Sequence, residues 1–479
     1  MPIRLIVLIL LLSGSAFSQD ANYWSSSYGP GAFLTPGATI ANNGDSGVFF
    51  YNPALLAYSR KSSASISGTI YQYQSTTIKD GAGSGLPLKS SGGSVIPQMA
   101  SSSISLKLKN RPFTIAYALL HEPVIGFTTS QRKDAQLNVL SDSYSPGKET
   151  FVGQYTAQNN IDETAGLLCA GLQLSSRLAI GFSIDGRIRK QTYSQTTSSR
   201  AIYNVLVDTV LPPIASAEGT YLNTYTQIGV RFKAGLAYDI GQHDHLGLLV
   251  SSPLVRITGS ATLVADDQIS NIRQDSLFTL YLLASTRQTK LRAKYKMPLS
   301  LALGYTHDFA TGQVFFSAEY FLRVKEYNIV TPRKEAFVRP DTANDAFSSD
   351  LNKFRDARTA ILNLAIGFSH MLTPTVTGFL TLRTDFNYSP YSVYKDPTAG
   401  FTSSTSNWDL YHVQLGANLK KRKFNLRLGV LLDYGHTSDY EQPVNYDNPN
   451  EENLLQGDSH HTKATRLSAG LMLAYIHNL

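Results

Sequence analysis

Cysteine and charge are what this 479-residue chain has least of: one cysteine, Cys169, and 16% charged residues. The lone cysteine excludes a disulfide framework and a multi-cysteine metal centre. Sparse charge beside 42% hydrophobic residues excludes a disordered tail. Beyond the N-terminal segment no apolar run approaches the ~18 residues a helix needs to cross a bilayer, so a helical membrane bundle is excluded too. What the chain has in quantity is glycine (35), tyrosine (27) and phenylalanine (22), more than a helix-rich soluble enzyme usually carries.

The N-terminus reads as an export signal. Arg4 supplies the positive end, Leu5 to Leu12 the apolar core, and Ala16-Phe17-Ser18 the small-x-small cleavage pattern. Residues 1–18 are therefore expected to be removed, leaving Gln19 first. The apolar core is too short to span a membrane, and no cysteine follows it to carry a lipid.

Along the mature chain the apolar residues repeat with period two. Leu178, Ile180, Phe182, Ile184 and Ile188 alternate with small or polar residues, and so do Leu299–Tyr305, Leu362–Phe368 and Phe424–Tyr434. That period is a strand with one apolar face. Fourteen such segments can be marked, from 62–75 to 464–477, several of them at or above the ~9–11 residues of a transmembrane strand. Short turns such as Asn110-Arg111, Ser175-Ser176 and Lys421-Arg422 alternate with long polar connections such as 76–100, 121–162, 195–223 and 260–295. An even strand number with tight turns at one end and long loops at the other predicts an all-β fold, a closed transmembrane antiparallel β-barrel of about 14 strands over 61–479. A soluble sandwich or propeller shares the alternation, but the export signal and the loop asymmetry argue against it.

Residues 19–60 do not alternate. They hold Trp24, Gly29-Pro30-Gly31 and the stretch Gly44-Asp45-Ser46-Gly47-Val48-Phe49-Phe50-Tyr51-Asn52-Pro53-Ala54. A barrel this wide leaves an interior to fill, and this segment is expected to be the N-terminal hatch that plugs the lumen. The stretch resembles the plug motif of the FadL/TodX-type outer-membrane transporters of long-chain fatty acids and aromatic hydrocarbons, and plug length and strand count extend the likeness over nearly the whole mature chain. The resemblance implies a bacterial outer-membrane location, uptake of a hydrophobic ligand through the extracellular loops, and release past the hatch, sideways through a kinked strand. It implies that Asn52, Pro53 and Ala54 abut the third strand near Phe113 to Leu120, with Pro123 interrupting pairing there. Leu55, where glycine often follows the motif, and the C-terminal Leu479, where an aromatic is common, depart from the pattern.

Ligand-contacting candidates are Phe49 and Phe50 in the motif, Leu277, Phe278 and Leu280 in an apolar patch of a long connection, and the inward-phase Arg187 and Arg383, whose guanidinium forks suit a carboxylate. The 277–284 patch reads as a short amphipathic helix, either lining an uptake groove or packing on the rim. Inward charges equally suit an ion-paired lumen that seats the hatch. His460-His461 lacks further metal ligands, and no nucleophile elbow, zinc-protease motif or phosphate loop occurs. No enzyme, cofactor or metal is expected. The Lys-Lys-Arg-Lys run at 420–423 falls on a short turn, which suits outer-membrane lipid phosphates rather than nucleic acid. The expected function is that of a monomeric, passive outer-membrane transporter for hydrophobic small molecules. The alternatives are a non-transporting barrel that scaffolds surface or secretion-complex proteins, and a water-filled porin.

Overall fold

The computed structural model describes residues 21–24, 39–41, 50–59, 62–204, 213–273, 279–340, 346–390 and 400–479. The signal segment, Phe49, Leu277 and Phe278 lie outside them.

The wall is a closed antiparallel barrel of 14 strands. In ring order these are β1 (Ser63–Ile78), β2 (Leu88–Leu108), β3 (Arg111–Leu137), β4 (Glu149–Gln173), β5 (Leu178–Ile202), β6 (Ile214–Asp239), β7 (Asp244–Ser251), β10 (Ser300–Phe309), β11 (Gly312–Phe321), β14 (Ile361–Thr373), β15 (Val376–Asp385), β17 (Asp409–Lys420), β18 (Phe424–Glu441) and β19 (His461–Asn478). β1 closes on β19 with Ser63 opposite Asn478. The seventh strand breaks at Ser252-Pro253-Leu254, where proline has no N–H to give the ladder, and continues along β6 as β8 (Val255–Arg273), which turns back as β9 (Thr279–Arg292). All fourteen alternating segments seen in the sequence are barrel strands. The turn between β2 and β3 has Lys109 and Asn110 at φ 48° and 63°, the twist that suits a two-residue hairpin.

The alternation has the sense a membrane demands. Leu119, Leu303 and Leu415 face outward and are at least 60% exposed, whereas Gln191, Asn223 and Asn363 face inward and are buried. Hydrocarbon offers no partner to a free N–H or C=O, so ring closure and an apolar exterior come together.

Several connections read as loops are strand instead. β3 runs to Leu137, β4 starts at Glu149, and β5 and β6 pair from Leu178–Tyr238 up to Ile202–Ile214. Their Ser, Thr, Gln and Tyr residues hid the strands, because above the lipid neither face need be apolar. The 277–284 patch is likewise no helix where described: Thr279 to Ala284 belongs to β9 and pairs with β8.

A second, three-stranded sheet lies apart from the wall: β12 (Val324–Val330), β13 (Phe354–Arg358) and β16 (Phe401–Thr402). Every residue of β13, Phe-Arg-Asp-Ala-Arg, is buried.

A charge on the lipid face tests the orientation. Leu303→Arg is expected to lower stability by about 2–4 kcal/mol, the cost of a cation at mid-membrane on a barrel exterior, in denaturant titrations of vesicle-inserted protein. Thr306→Arg on the buried face would not show the dependence on bilayer thickness that Leu303→Arg shows.

Candidate functional site: the filled lumen and its outer cavity

Asn52 organises the described part of the hatch. Its side-chain oxygen accepts from the Ala54 N–H at 3.0 Å and caps a short 3-10 helix, Pro53–Tyr58. Its amide group donates to the carbonyls of Ile40 (2.8 Å) and Leu236 (3.2 Å), tying two hatch segments to β6. The wall receives them on glycines. A Cβ on Gly235 would stand 2.0 Å from Asn52 Oδ1, one on Gly181 2.2 Å from the Ala54 nitrogen, and one on Gly247 2.1 Å from the Ile40 carbonyl oxygen. Gly181 faces Gly235 across β5–β6, and Gly247 faces Gly304 across β7–β10, so the glycines form a track. Only residues without a side chain let the hatch backbone lie this close.

The motif thus sits on β4, β5 and β6, where a Cβ on Gly171 of β4 would stand 2.8 Å from the Pro53 carbonyl oxygen, and only the residues flanking it extend to β3. Phe50 and Leu56 reach β3, packing with Ala116, Ala118 and Leu120. Lys233 of β6 donates to the Phe50 carbonyl at 3.0 Å and lies 4.0 Å above its ring. Farther along, the Asp385 carboxylate accepts from the N–H groups of Tyr23 (3.1 Å) and Trp24 (3.0 Å), and Trp24 Nε1 donates to Glu319 at 2.8 Å.

Ion pairs occupy the luminal wall. Arg187 bridges Asp185 (2.8 Å) and Glu163 (3.4 Å), and Arg189 joins Glu163 at 2.9 Å. Arg383 is buried on β15 two residues before Asp385. The inner sheet carries Arg358, bonded to Asp356 at 3.2 Å, with the rings of Tyr388, Tyr295 and Tyr23 4.4, 4.9 and 5.5 Å from its guanidinium. Tyr23 belongs to the hatch, so Arg358 joins the two plugs.

Above them is a cavity of about 330 Å³. Leu88, Phe127, Tyr155 and Tyr193 line it from the wall, Arg355 and Phe401 from the inner sheet. Arg355 is held by Glu326 at 3.0 Å. Neither Arg187 nor Arg383 lines this cavity, and Leu280 packs instead in the apolar cap built around Val139, Tyr203, Val444 and Leu455. The β18–β19 connection roofs the cavity through Gln442, Pro443 and Ser459. Its Asp447 binds Lys133 Nζ at 2.8 Å and the Ser84 N–H at 2.5 Å. Burial pushes the Asp447 carboxyl up, but these hydrogen bonds outweigh it and hold the group below its usual range.

The wall beside this cavity is interrupted. The β2–β3 ladder runs from Leu108–Arg111 to Met99–Leu120 and ends. Beyond that point, among the described residues, β2 pairs with β1 and β3 with β4, with a register shift at Pro123. The two strands meet again through Ser90 Oγ, which accepts from the Thr128 N–H at 3.1 Å, and through Gln131, which donates to the Pro87 carbonyl at 3.0 Å. Both unpaired edges carry a proline, Pro97 and Pro123, so neither donates a hydrogen bond there. Of the two prolines, Pro123 alone is expected from the sequence to interrupt pairing. Pro97 and the inward-phase glycines were the missed signals.

Among the described residues no cluster of potential metal ligands occurs, and no helix is long and apolar enough to cross a membrane. No protein-family model and no curated protein matches the sequence. Solved structures do. A FadL homologue of Pseudomonas aeruginosa is 13% identical with a TM-score of 0.54, over 97% of this chain and 100% of that one. The toluene transporter TbuX of Ralstonia pickettii is 12% identical with a TM-score of 0.54, over 95% and 98%. The toluene transporter TodX of Pseudomonas putida is 12% identical with a TM-score of 0.55, over 95% and 99%. This chain is similar to them in fold, a closed 14-strand barrel of FadL type.

Two outcomes follow for hatch and roof. Gly235→Ala or Gly181→Ala is expected to dislodge the Asn52 turn and raise protease cleavage of the N-terminal segment and single-channel conductance, while Gly166→Ala, whose Cβ meets nothing within 4 Å, changes neither. Because the Asp447 value is depressed, its contribution to roof docking is complete above about pH 4 and is lost as pH falls through the depressed value. Amide exchange at 444–458 should rise only in that acid range, and in Asp447→Asn it should already be raised at neutral pH and no longer depend on pH through this group.

Proposed function

We propose that this chain lets small hydrophobic molecules cross the bacterial outer membrane passively, entering the cavity beneath the extracellular cap and leaving sideways through the β2–β3 wall. The observation that carries the reading is the meeting of cavity and interruption: Leu88 and Phe127, which line the cavity, lie on the two strands whose ladder ends. The hatch and the inner sheet obstruct the straight route to the periplasm, so the side route is the shorter one for a molecule soluble in lipid. The fold shared with toluene transporters supports this reading.

The energetics fit passage without a cofactor. Burial of roughly 200 Å² of ligand surface, at about 25 cal/mol per Å², stabilises the complex by about 5 kcal/mol. That is binding weak enough to release. The cavity volume of about 330 Å³ lies at the small end of the usual range for ligand sites.

A cross-link tests the exit. Gln98 and His121 adjoin the last pair of the ladder, Met99–Leu120, the first buried and the second half-exposed. The double variant Gln98→Cys, His121→Cys, bridged by a flexible bismaleimide with a disulfide in its spacer, is expected to lose most uptake of a radiolabelled hydrocarbon into whole cells and to regain it when the spacer is reduced, while mass spectrometry still finds ligand in the extracted protein. Undiminished uptake by the bridged form would remove the lateral route.

A further inference from the structure

We propose that the periplasmic rim beneath the β2–β3 interruption is a binding surface for anionic phospholipid headgroups of the inner leaflet. The surface consists of two neighbouring turns. Lys107, Lys109 and Arg111 flank the β2–β3 turn, and the Lys-Lys-Arg-Lys run of 420–423 forms the β17–β18 turn. In the ring they are separated only by β18, β19, β1 and β2, so three strand spacings of about 4.8 Å set the gap between them. All these side chains are exposed, none is in an ion pair among the described residues, and no acidic residue occurs in 101–113 or 410–427. What sets the arc apart is its density: seven cations on two neighbouring turns, whereas other exposed cations are either paired, as Arg132 with Asp134 at 2.8 Å and Arg200 with Glu218 at 2.6 Å, or dispersed, as Lys148 and Arg287.

The height of these groups selects the lipid headgroup as occupant. Leu106 and Leu108 of β2 and Leu428 of β18 are exposed on the outer face of the same strands, so the cations stand where the apolar belt ends. That is the level of the phosphates. Lys107 also lines a second cavity of about 720 Å³, at the periplasmic mouth, whose floor is Ala57, Tyr58 and Ser59 of the hatch. The basic arc therefore runs from the bilayer edge into the mouth, beneath the strands through which cargo would leave. Each cation near an anionic surface multiplies attraction about fivefold, an effect that salt screens.

The inference rests on the membrane reading above, and the experiment separates the two. Full-length protein is inserted into vesicles of phosphatidylcholine with a minor fraction of phosphatidylglycerol, extracted in polymer discs, and its co-isolated lipid measured by mass spectrometry. Wild type is expected to enrich phosphatidylglycerol roughly fivefold at low salt and to lose the enrichment at high salt. The variant with Lys420, Lys421, Arg422 and Lys423 all changed to Gln, and separately Lys107→Gln with Lys109→Asn, should retain far less. The extracellular control Arg287→Gln with Lys148→Gln should match wild type. Insertion without enrichment, or enrichment indifferent to salt and to the arc, overturns the inference and leaves the membrane reading intact. Failure to insert into any vesicle overturns both. Retention of soluble polyglutamate without lipid enrichment assigns the arc to an acidic protein instead and overturns the lipid surface.

Discussion

The satisfaction of backbone hydrogen bonds in a medium that offers none governs this molecule. Closing β1 on β19 removes the last free edge, and once the ring is closed each strand presents one face to lipid and one to the interior. The period-two alternation follows from that geometry. So does the weight of any break in it. The chain leaves two edges unpaired beside the outer cavity and puts a proline on each, which removes donors that would otherwise be orphaned. An interruption built this way costs less than one made by pulling two ordinary strands apart.

Fourteen strands enclose more space than wall side chains fill, and two devices occupy it. The hatch lies on a track of glycines and is pinned through Asn52 and Asp385. The inner sheet folds in from the β11–β14 and β15–β17 connections and brings a strand with two arginines and an aspartate into full burial. Burying those charges is tolerable because each has a partner: Arg358 with Asp356 and three tyrosine rings, Arg355 with Glu326. The tyrosine count noted in the composition is explained in part by this interior, where phenol rings pack and donate at once.

The barrel was legible in the sequence because lipid enforces contrast on every outward position. Leu178 to Ile188 and Leu362 to Phe368 could be read as strands without any neighbour. Legibility fails where lipid stops. The outer halves of β4 and β5, such as Gln154 to Asn160 and Gln195 to Ser199, are paired along their length, yet no run of large apolar residues marks either face, and they read as loops. β13 failed for a different reason: a short run with two arginines reads as solvent-exposed, and only the tyrosines converging on Arg358 from the segments after β15 and β9 and from the hatch make it an interior strand. The site was half visible. Asn52-Pro53-Ala54 stood out as a motif, but the surface it rests on is recorded only as missing side chains at Gly181, Gly235 and Gly247, which alternation scores as mere polarity.

The two plugs are not independent. Arg358 belongs to the inner sheet, while Tyr23, which faces its guanidinium and stacks on Tyr388 at 4.4 Å, belongs to the hatch. The Tyr388 N–H donates to the Ala21 carbonyl at 2.9 Å, and the Tyr388 carbonyl accepts from Thr359 N–H at 2.7 Å, one residue past β13. Displacing β13 therefore strains the seat of residues 21–24, and withdrawing those residues uncovers Arg358. A cation buried among aromatic rings has no equivalent partner in the empty space that would remain, so each plug raises the cost of moving the other. The outer cavity lies against this sheet through Arg355 and Phe401, which makes the inner sheet the element through which an occupant of the cavity would be felt at the hatch.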